Sequence, residues 1–167
     1  MDRLWAPWRK VYIRPEKKVR RGCLFCALLK EKRDVRNYIL KKTPHSFAIL
    51  NLYPYNNGHT LIIPRRHVAD LSDLTPAGKL DLLSLCEEVQ SAIRKKMNAH
   101  GFNIGLNLGA FAGAGIPEHL HLHIVPRWKG DANFMPVIGK TKVISESLKS
   151  VYSELSASLK ADGGGRK

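Results

Sequence analysis

The alternation His119-Leu120-His121-Leu122-His123, running on into Ile124-Val125-Pro126, constrains this chain more than any other stretch. On a β-strand successive side chains point to opposite faces, so the three imidazoles line one face at a spacing of roughly 7 Å while the leucines enter a core. On a helix, residues two apart diverge by about 200°, and only His119 and His123 would share a side. The pattern predicts a strand with one apolar face and one imidazole face. Packing alone has no reason to choose imidazole three times, because every buried ring brings a donor and an acceptor that need partners. Metal ligation and nucleophilic catalysis are the chemistries that remain.

Other segments predict the elements around this strand. Residues 34–40, 46–51, 59–64 and 102–108 read as short strands, bounded by turn formers such as Tyr53-Pro54-Tyr55-Asn56-Asn57-Gly58. Thr75 is a suitable N-cap and Pro76 a suitable first helical residue, and Leu80, Leu83, Val89, Ile93 and Met97 recur at helical spacing up to a stop near 98–101. A second helix is expected over 145–159. Strands grouped around one long helix predict an α+β fold, an antiparallel sheet with one long helix and a C-terminal helix. A chain of 167 residues, 44% of them hydrophobic, fits one domain. We expect it to occupy 1–160, including an N-terminal arm with Trp5 and Trp8, and the glycine-rich basic tail over 161–167 to be disordered.

Three cysteines do not make a secreted disulfide framework, and no apolar run reaches the length of a bilayer span. A cytoplasmic protein with no membrane association is expected. There, Cys23-x-x-Cys26 reads as a metal clasp, a redox pair or unbound thiols, and Cys86 as a small core residue. The formal charge of +14 would concentrate phosphorylated ligands. Its basic clusters are short and scattered, which favours a solvated surface over a nucleic-acid groove. A nucleic-acid reader would also need interleaved aromatic platforms, and Trp5, Trp8 and Tyr12 beside basic residues are not a specific signal.

The histidine row and its two following apolar residues resemble the signature of the histidine-triad nucleotide-binding superfamily. Asn57-Gly58-His59, Pro64-x-x-His67 and Pro126-Arg127 also match, so the resemblance runs from about Leu4 to the Ser145 region. Leu4-Trp5-Ala6-Pro7-Trp8-Arg9, Asn103-Ile104-Gly105-x-Asn107-Leu108-Gly109 and Gly130-Asp131-x-Asn133-Phe134-Met135 are most similar to its bacterial diadenosine-tetraphosphate phosphorylase-like members.

The resemblance implies a homodimer of sheet-and-helix protomers that binds a nucleotide or dinucleoside polyphosphate. It makes His121 the nucleophile that attacks the α-phosphorus, with a covalent nucleotidyl-histidine passed on to water or inorganic phosphate. Imidazole suits that role, because near pH 7 it is a neutral nucleophile that needs only the correct tautomer. A backbone carbonyl accepting from Nδ1 of His121 would aim Nε2 at phosphorus. His123 is placed to donate to phosphate oxygens, and His59 resembles a family histidine of the same region. Asn107 resembles a family position near the phosphates and Asn51 one that binds ribose hydroxyls, although either asparagine also suits the end of a strand. In the loop Gly109-Ala110-Phe111-Ala112-Gly113-Ala114-Gly115, main-chain amides around Gly113 and Gly115 could curl about an anion, or the glycines could simply make turns.

Zinc-bearing superfamily members place a Cys pair, the histidine after Pro-x-x and the first triad histidine around one ion. Here those are Cys23, Cys26, His67 and His119, a structural Cys₂His₂ set with no open coordination position. The chain departs from many members just before the row, where Gly115-Ile116-Pro117-Glu118 stands in place of a Gln or Ser that can assist the leaving group. The expected activity is a nucleotidyl transferase that cleaves diadenosine tetraphosphate by phosphorolysis to ADP and ATP. The rivals are hydrolysis of dinucleoside polyphosphates or nucleoside phosphoramidates, and a nucleotide-binding interaction module with little turnover.

Overall fold

The computed structural model describes residues 22–131 and 144–161. The expectations for the N-terminal arm, Asn133-Phe134-Met135 and most of the tail lie outside these residues.

Five strands form one antiparallel sheet. They are β1 (Ile39–Lys42), β2 (Ser46–Leu50), β3 (Thr60–Pro64), β4 (Gly101–Leu106) and β5 (Leu122–Arg127), in the spatial order β1-β2-β3-β5-β4. Among the described residues three helices accompany it: α1 (Leu24–Glu31), α2 (Pro76–Met97) and α3 (Leu148–Ala161). The α+β architecture is the one predicted.

Alternation along the strands divides the interior in two. Ala48, Leu50, Ile62, Leu120, Leu122 and Ile124 face α2 and α3 in the larger cluster, which also holds Leu82, Leu85, Val89, Ile93 and Leu155. Phe47, Ile49, Leu61 and Ile63 point the other way and pack with Phe25 of α1. A side-chain period of two sorts each strand between these faces. The imidazoles at 119, 121 and 123 therefore belong to the α1 side.

Several boundaries differ from those predicted. β1 begins at Ile39 rather than 34, because Ile39 N–H donates to the Asp34 carbonyl at 2.9 Å and Tyr38 takes a positive φ of 56°, which turns 34–38 away from the sheet. Thr75 caps α2 as expected, its hydroxyl accepting from Gly78 N–H at 3.1 Å. Val89 and Ile93 are buried as expected, but they share their stripe with Leu82, Leu85, Cys86 and Ala92, while Leu80 and Leu83 are 69% and 54% exposed. Two leucines three apart formed a plausible stripe, but the longer series of i, i+3 and i+4 steps takes the sheet-facing side. α3 starts three residues later than expected. Helix α1 was not foreseen.

Candidate active site

The histidine row is anchored at two levels. Only His123 lies within the hydrogen-bonded ladder, opposite Leu61 on β3 and Gly105 on β4. His119 and His121 precede it, a correction to the uninterrupted strand predicted. Here Leu120 N–H donates to the Val68 carbonyl at 2.7 Å and His119 N–H to that of Ile116 at 3.3 Å, so these amides bond to flanking loops rather than to β3. The alternation of faces survives all the same: Leu120 and Leu122 are buried on the α2 side.

Backbone partners fix the tautomer of each ring, since a carbonyl can only accept and an amide N–H can only donate. His119 Nε2 donates to the Pro64 carbonyl at 2.8 Å, which leaves a lone pair on Nδ1. His121 Nδ1 donates to the His119 carbonyl at 2.8 Å, which leaves the lone pair on Nε2. His59 Nδ1 accepts from Tyr55 N–H at 3.0 Å, so its proton is on Nε2, which donates to His123 Nδ1 at 3.0 Å. His123 then carries its own proton on Nε2, a buried donor with no partner among the described residues. The His121 and His123 ring centroids are 5.0 Å apart. An acceptor-bearing ring thus lies beside a ring with an open donor.

Burial keeps these rings uncharged. It pushes the His121 imidazolium below its ordinary value against the opposing pull of the His119 carbonyl. Burial and neighbouring His121 bring His123 down to about 4. Both are neutral near pH 7, the state a nitrogen nucleophile requires.

The metal-type quartet is also brought together. Ligand atoms of Cys23, Cys26, His67 and His119 all lie within 4.8 Å of one another. His67 Nδ1 is 3.3 Å from His119 Nδ1, and the sulfurs of Cys23 and Cys26 are 3.1 and 3.6 Å from His119 Nδ1. A tetrahedral zinc with nitrogens at its usual bond length separates two nitrogens by about 3.3 Å, and a sulfur from a nitrogen by about 3.6 Å. The residues fit a Cys₂His₂ ion. The Pro64 carbonyl supplies the outer hydrogen bond that orients a ligating imidazole and leaves its other nitrogen bare.

The remaining candidates divide. Asn51 is half-buried beside His59, its Nδ2 3.2 Å from His59 Nδ1, while its Oδ1 accepts from Tyr53 N–H at 3.0 Å as a turn residue does. Asn107 is half-buried just after β4, and no hydrogen bond engages its side chain among the described residues. The loop departs from an anion-cradling arrangement. Ala112 and Ala114 N–H donate to the Gly109 carbonyl and Gly113 N–H to that of Ala110, so their amides are turned onto the loop itself. Gly113 takes a φ of 89°, where glycine is favoured. Gly115 is exposed, with open space where a Cβ would stand. Ile116 packs against the cluster around Phe25.

Two side chains close to the row were missed. Phe25 packs against both His119 and His121, with ring centroids at 5.5 and 5.4 Å. Tyr55 stacks on His123 at 5.9 Å with its ring nearly parallel. The apolar residues of Leu24-Phe25-Cys26-Ala27-Leu28-Leu29 were a signal for a short helix, and the aromatic before Asn56-Asn57-Gly58-His59 was visible only as a turn residue.

The HIT domain family model matches residues 32–130. The chain belongs to the HIT family. It is 39% identical over 156 residues to AP-4-A phosphorylase of Mycobacterium tuberculosis, covering 89% of this chain and 80% of that HIT relative. It is 42% identical over 100 residues to the asymmetrical bis(5'-nucleosyl)-tetraphosphatase of Schizosaccharomyces pombe, covering 60% of this chain and 54% of the relative. Among solved HIT structures, a zinc-bound histidine triad family protein from Mycobacterium smegmatis superposes with a TM-score of 0.70 at 27% identity, over 87% of this chain and 98% of the other.

Proposed function

We propose that this HIT protein cleaves dinucleoside polyphosphates, and that it does so as a phosphorylase converting diadenosine tetraphosphate and inorganic phosphate to ADP and ATP. The observation that carries the reading is the bond from His121 Nδ1 to the His119 carbonyl, which leaves Nε2 as a neutral nucleophile. The Mycobacterium tuberculosis relative supports the choice of substrate and acceptor.

In this reading the Nε2 lone pair of His121 attacks the α-phosphorus. The bond to the bridging oxygen breaks, and ATP leaves with the electron pair. The ring of the nucleotidyl-His121 formed in this way is cationic, and the His119 carbonyl accepts from its Nδ1–H throughout. His123 Nε2–H donates to the phosphoryl oxygens, where charge spreads in the transition state. An oxygen of inorganic phosphate then displaces His121 from phosphorus and forms ADP. Asn51, Asn107 and the amide of Gly115 are the substrate-facing groups; His59, with one ring nitrogen on Tyr55 N–H and the other on His123, acts through His123, and the Gly113 amide, bonded to Ala110, drops out of the direct contacts. Cys23, Cys26, His67 and His119 would hold Zn²⁺, which supplies a structural crosslink between α1 and the start of the row.

The test is product analysis on diadenosine tetraphosphate with and without inorganic phosphate. Equal amounts of ADP and ATP, formed only with phosphate, are expected. Release of AMP at the same rate without phosphate would replace this reading with the hydrolytic one, which the Schizosaccharomyces pombe relative favours.

A further inference from the structure

Arg65 and Arg66 carry charge that the mechanism above does not use. They follow Pro64 at the end of β3 and, with His45 of the β1–β2 turn, line a cleft of about 420 Å³. Arg65 N–H donates to the His45 carbonyl at 2.8 Å, and its Nη1 donates to the Thr43 carbonyl at 3.2 Å. Arg66 Nη1 donates to the Asp73 carbonyl at 3.3 Å. The Thr43 and Asp73 carbonyls hold the two guanidinium groups in place without neutralising them, and the His45 carbonyl holds the Arg65 main chain. No carboxylate forms an ion pair with either arginine among the described residues.

The rest of the cleft has the opposite character. Leu29, Pro44, Pro64 and Leu74 also line it, and Pro64 and Leu74 are buried, beside Thr75 and Gly78 at the start of α2. The first turn of α2, which begins at the same cleft, contains no acidic residue to compete for the arginines. A ligand matching both characters carries an anionic group and an apolar one. The volume falls within the range of about 300 to 1,000 Å³ typical of small-molecule sites.

We propose that this cleft is a second nucleotide site, separate from the histidine row. The phosphates of a nucleoside diphosphate or triphosphate bind between Arg65 and Arg66, and the base lies on the Pro44, Pro64 and Leu74 surface. Guanidinium forks match phosphate oxygens in bidentate geometry, and two of them suit a diphosphate better than a single phosphate group. None of these residues is a triad histidine or a candidate metal ligand. The occupant would rest on the two residues that separate Pro64, the acceptor for His119, from His67.

Equilibrium dialysis of the full chain against ADP tests this independently of any turnover. The variant carrying both Arg65→Ala and Arg66→Ala is expected to bind one ADP per chain fewer than the parent, and His121→Asn to bind as many as the parent. Replacing both arginines with lysine keeps the charge and loses the fork, and should restore the second site at roughly tenfold weaker affinity. Equal stoichiometry in the parent and the double alanine variant would overturn the proposal, and the lysine variant guards against a misfolded alanine variant. Inorganic phosphate should displace this ADP at least about 100-fold less effectively than ADP itself. Equal displacement would overturn the nucleotide assignment.

Discussion

His119 and His121 are two residues apart, both buried and both hydrogen-bonded to a main-chain carbonyl, yet they present opposite nitrogens. The Pro64 carbonyl takes the Nε2 proton of His119 and leaves Nδ1 among two sulfurs and a second imidazole. The His119 carbonyl takes the Nδ1 proton of His121 and leaves Nε2 beside the His123 ring. One side chain therefore presents the nitrogen that the candidate metal site needs, and the other the nitrogen that the proposed nucleophile needs. The difference lies in which ring nitrogen meets a carbonyl, not in the residue type, the face or the degree of burial.

The strongest way to break the comparison is to remove the open nitrogen at the His121 end. His121→Asn should lower turnover of diadenosine tetraphosphate by about 10⁴-fold or more while nucleotide affinity stays within a few-fold. Steady-state kinetics beside equilibrium binding would check it, and a variant with near-parental turnover would remove His121 from the chemistry. At the other end, Cys26→Ser should weaken zinc binding by more than about 100-fold and lower the melting temperature. Metal analysis after dialysis is the measurement. Unchanged zinc content would show that the quartet does not hold the ion.

A pH series separates His123 from both neighbours. Its folded value of about 4 lies below the ordinary 6.5, so between these values the unfolded chain binds more protons than the folded one. The contribution is complete above pH 6.5 and is lost as the pH falls towards 4, by up to about 3 kcal/mol. Urea unfolding at several pH values should show this slope in the parent and a shallower one in His123→Gln. Equal slopes would contradict a buried neutral His123. The smallest expected effect lies outside both ends of the row. Leu83→Gln on the exposed side of α2 should change stability by no more than about 0.5 kcal/mol, whereas Leu85→Ala should cost about 2 to 5 kcal/mol.

Much of this arrangement was legible in the sequence because side-chain period is a local property. Strict alternation placed Leu120 and Leu122 opposite the imidazoles without reference to the rest of the chain. The cysteine pair stood out by its spacing, but His67 and His119 joined it only through the resemblance, since they lie 41 to 96 positions from the cysteines. Helix α1 escaped notice because it has only 8 residues and its N-cap, Cys23, makes no side-chain capping bond. Its place is set by burial of Phe25 and by the cysteines, both tertiary effects. The amides of 112–114 illustrate another limit: glycine content shows that a loop can turn sharply, but not whether its N–H groups point outward or back onto their own carbonyls. The His119 carbonyl could not be singled out either, because every residue has one.

That anonymity has an evolutionary consequence. The group that sets the His121 tautomer belongs to the main chain, so exchanging the side chain at 119 does not delete it. A lineage could trade His119 for another side chain and retain the acceptor that readies the proposed nucleophile wherever the backbone keeps its course. Inheritance of the proposed ion and inheritance of the proposed reaction are separable at this residue, although a single codon encodes it.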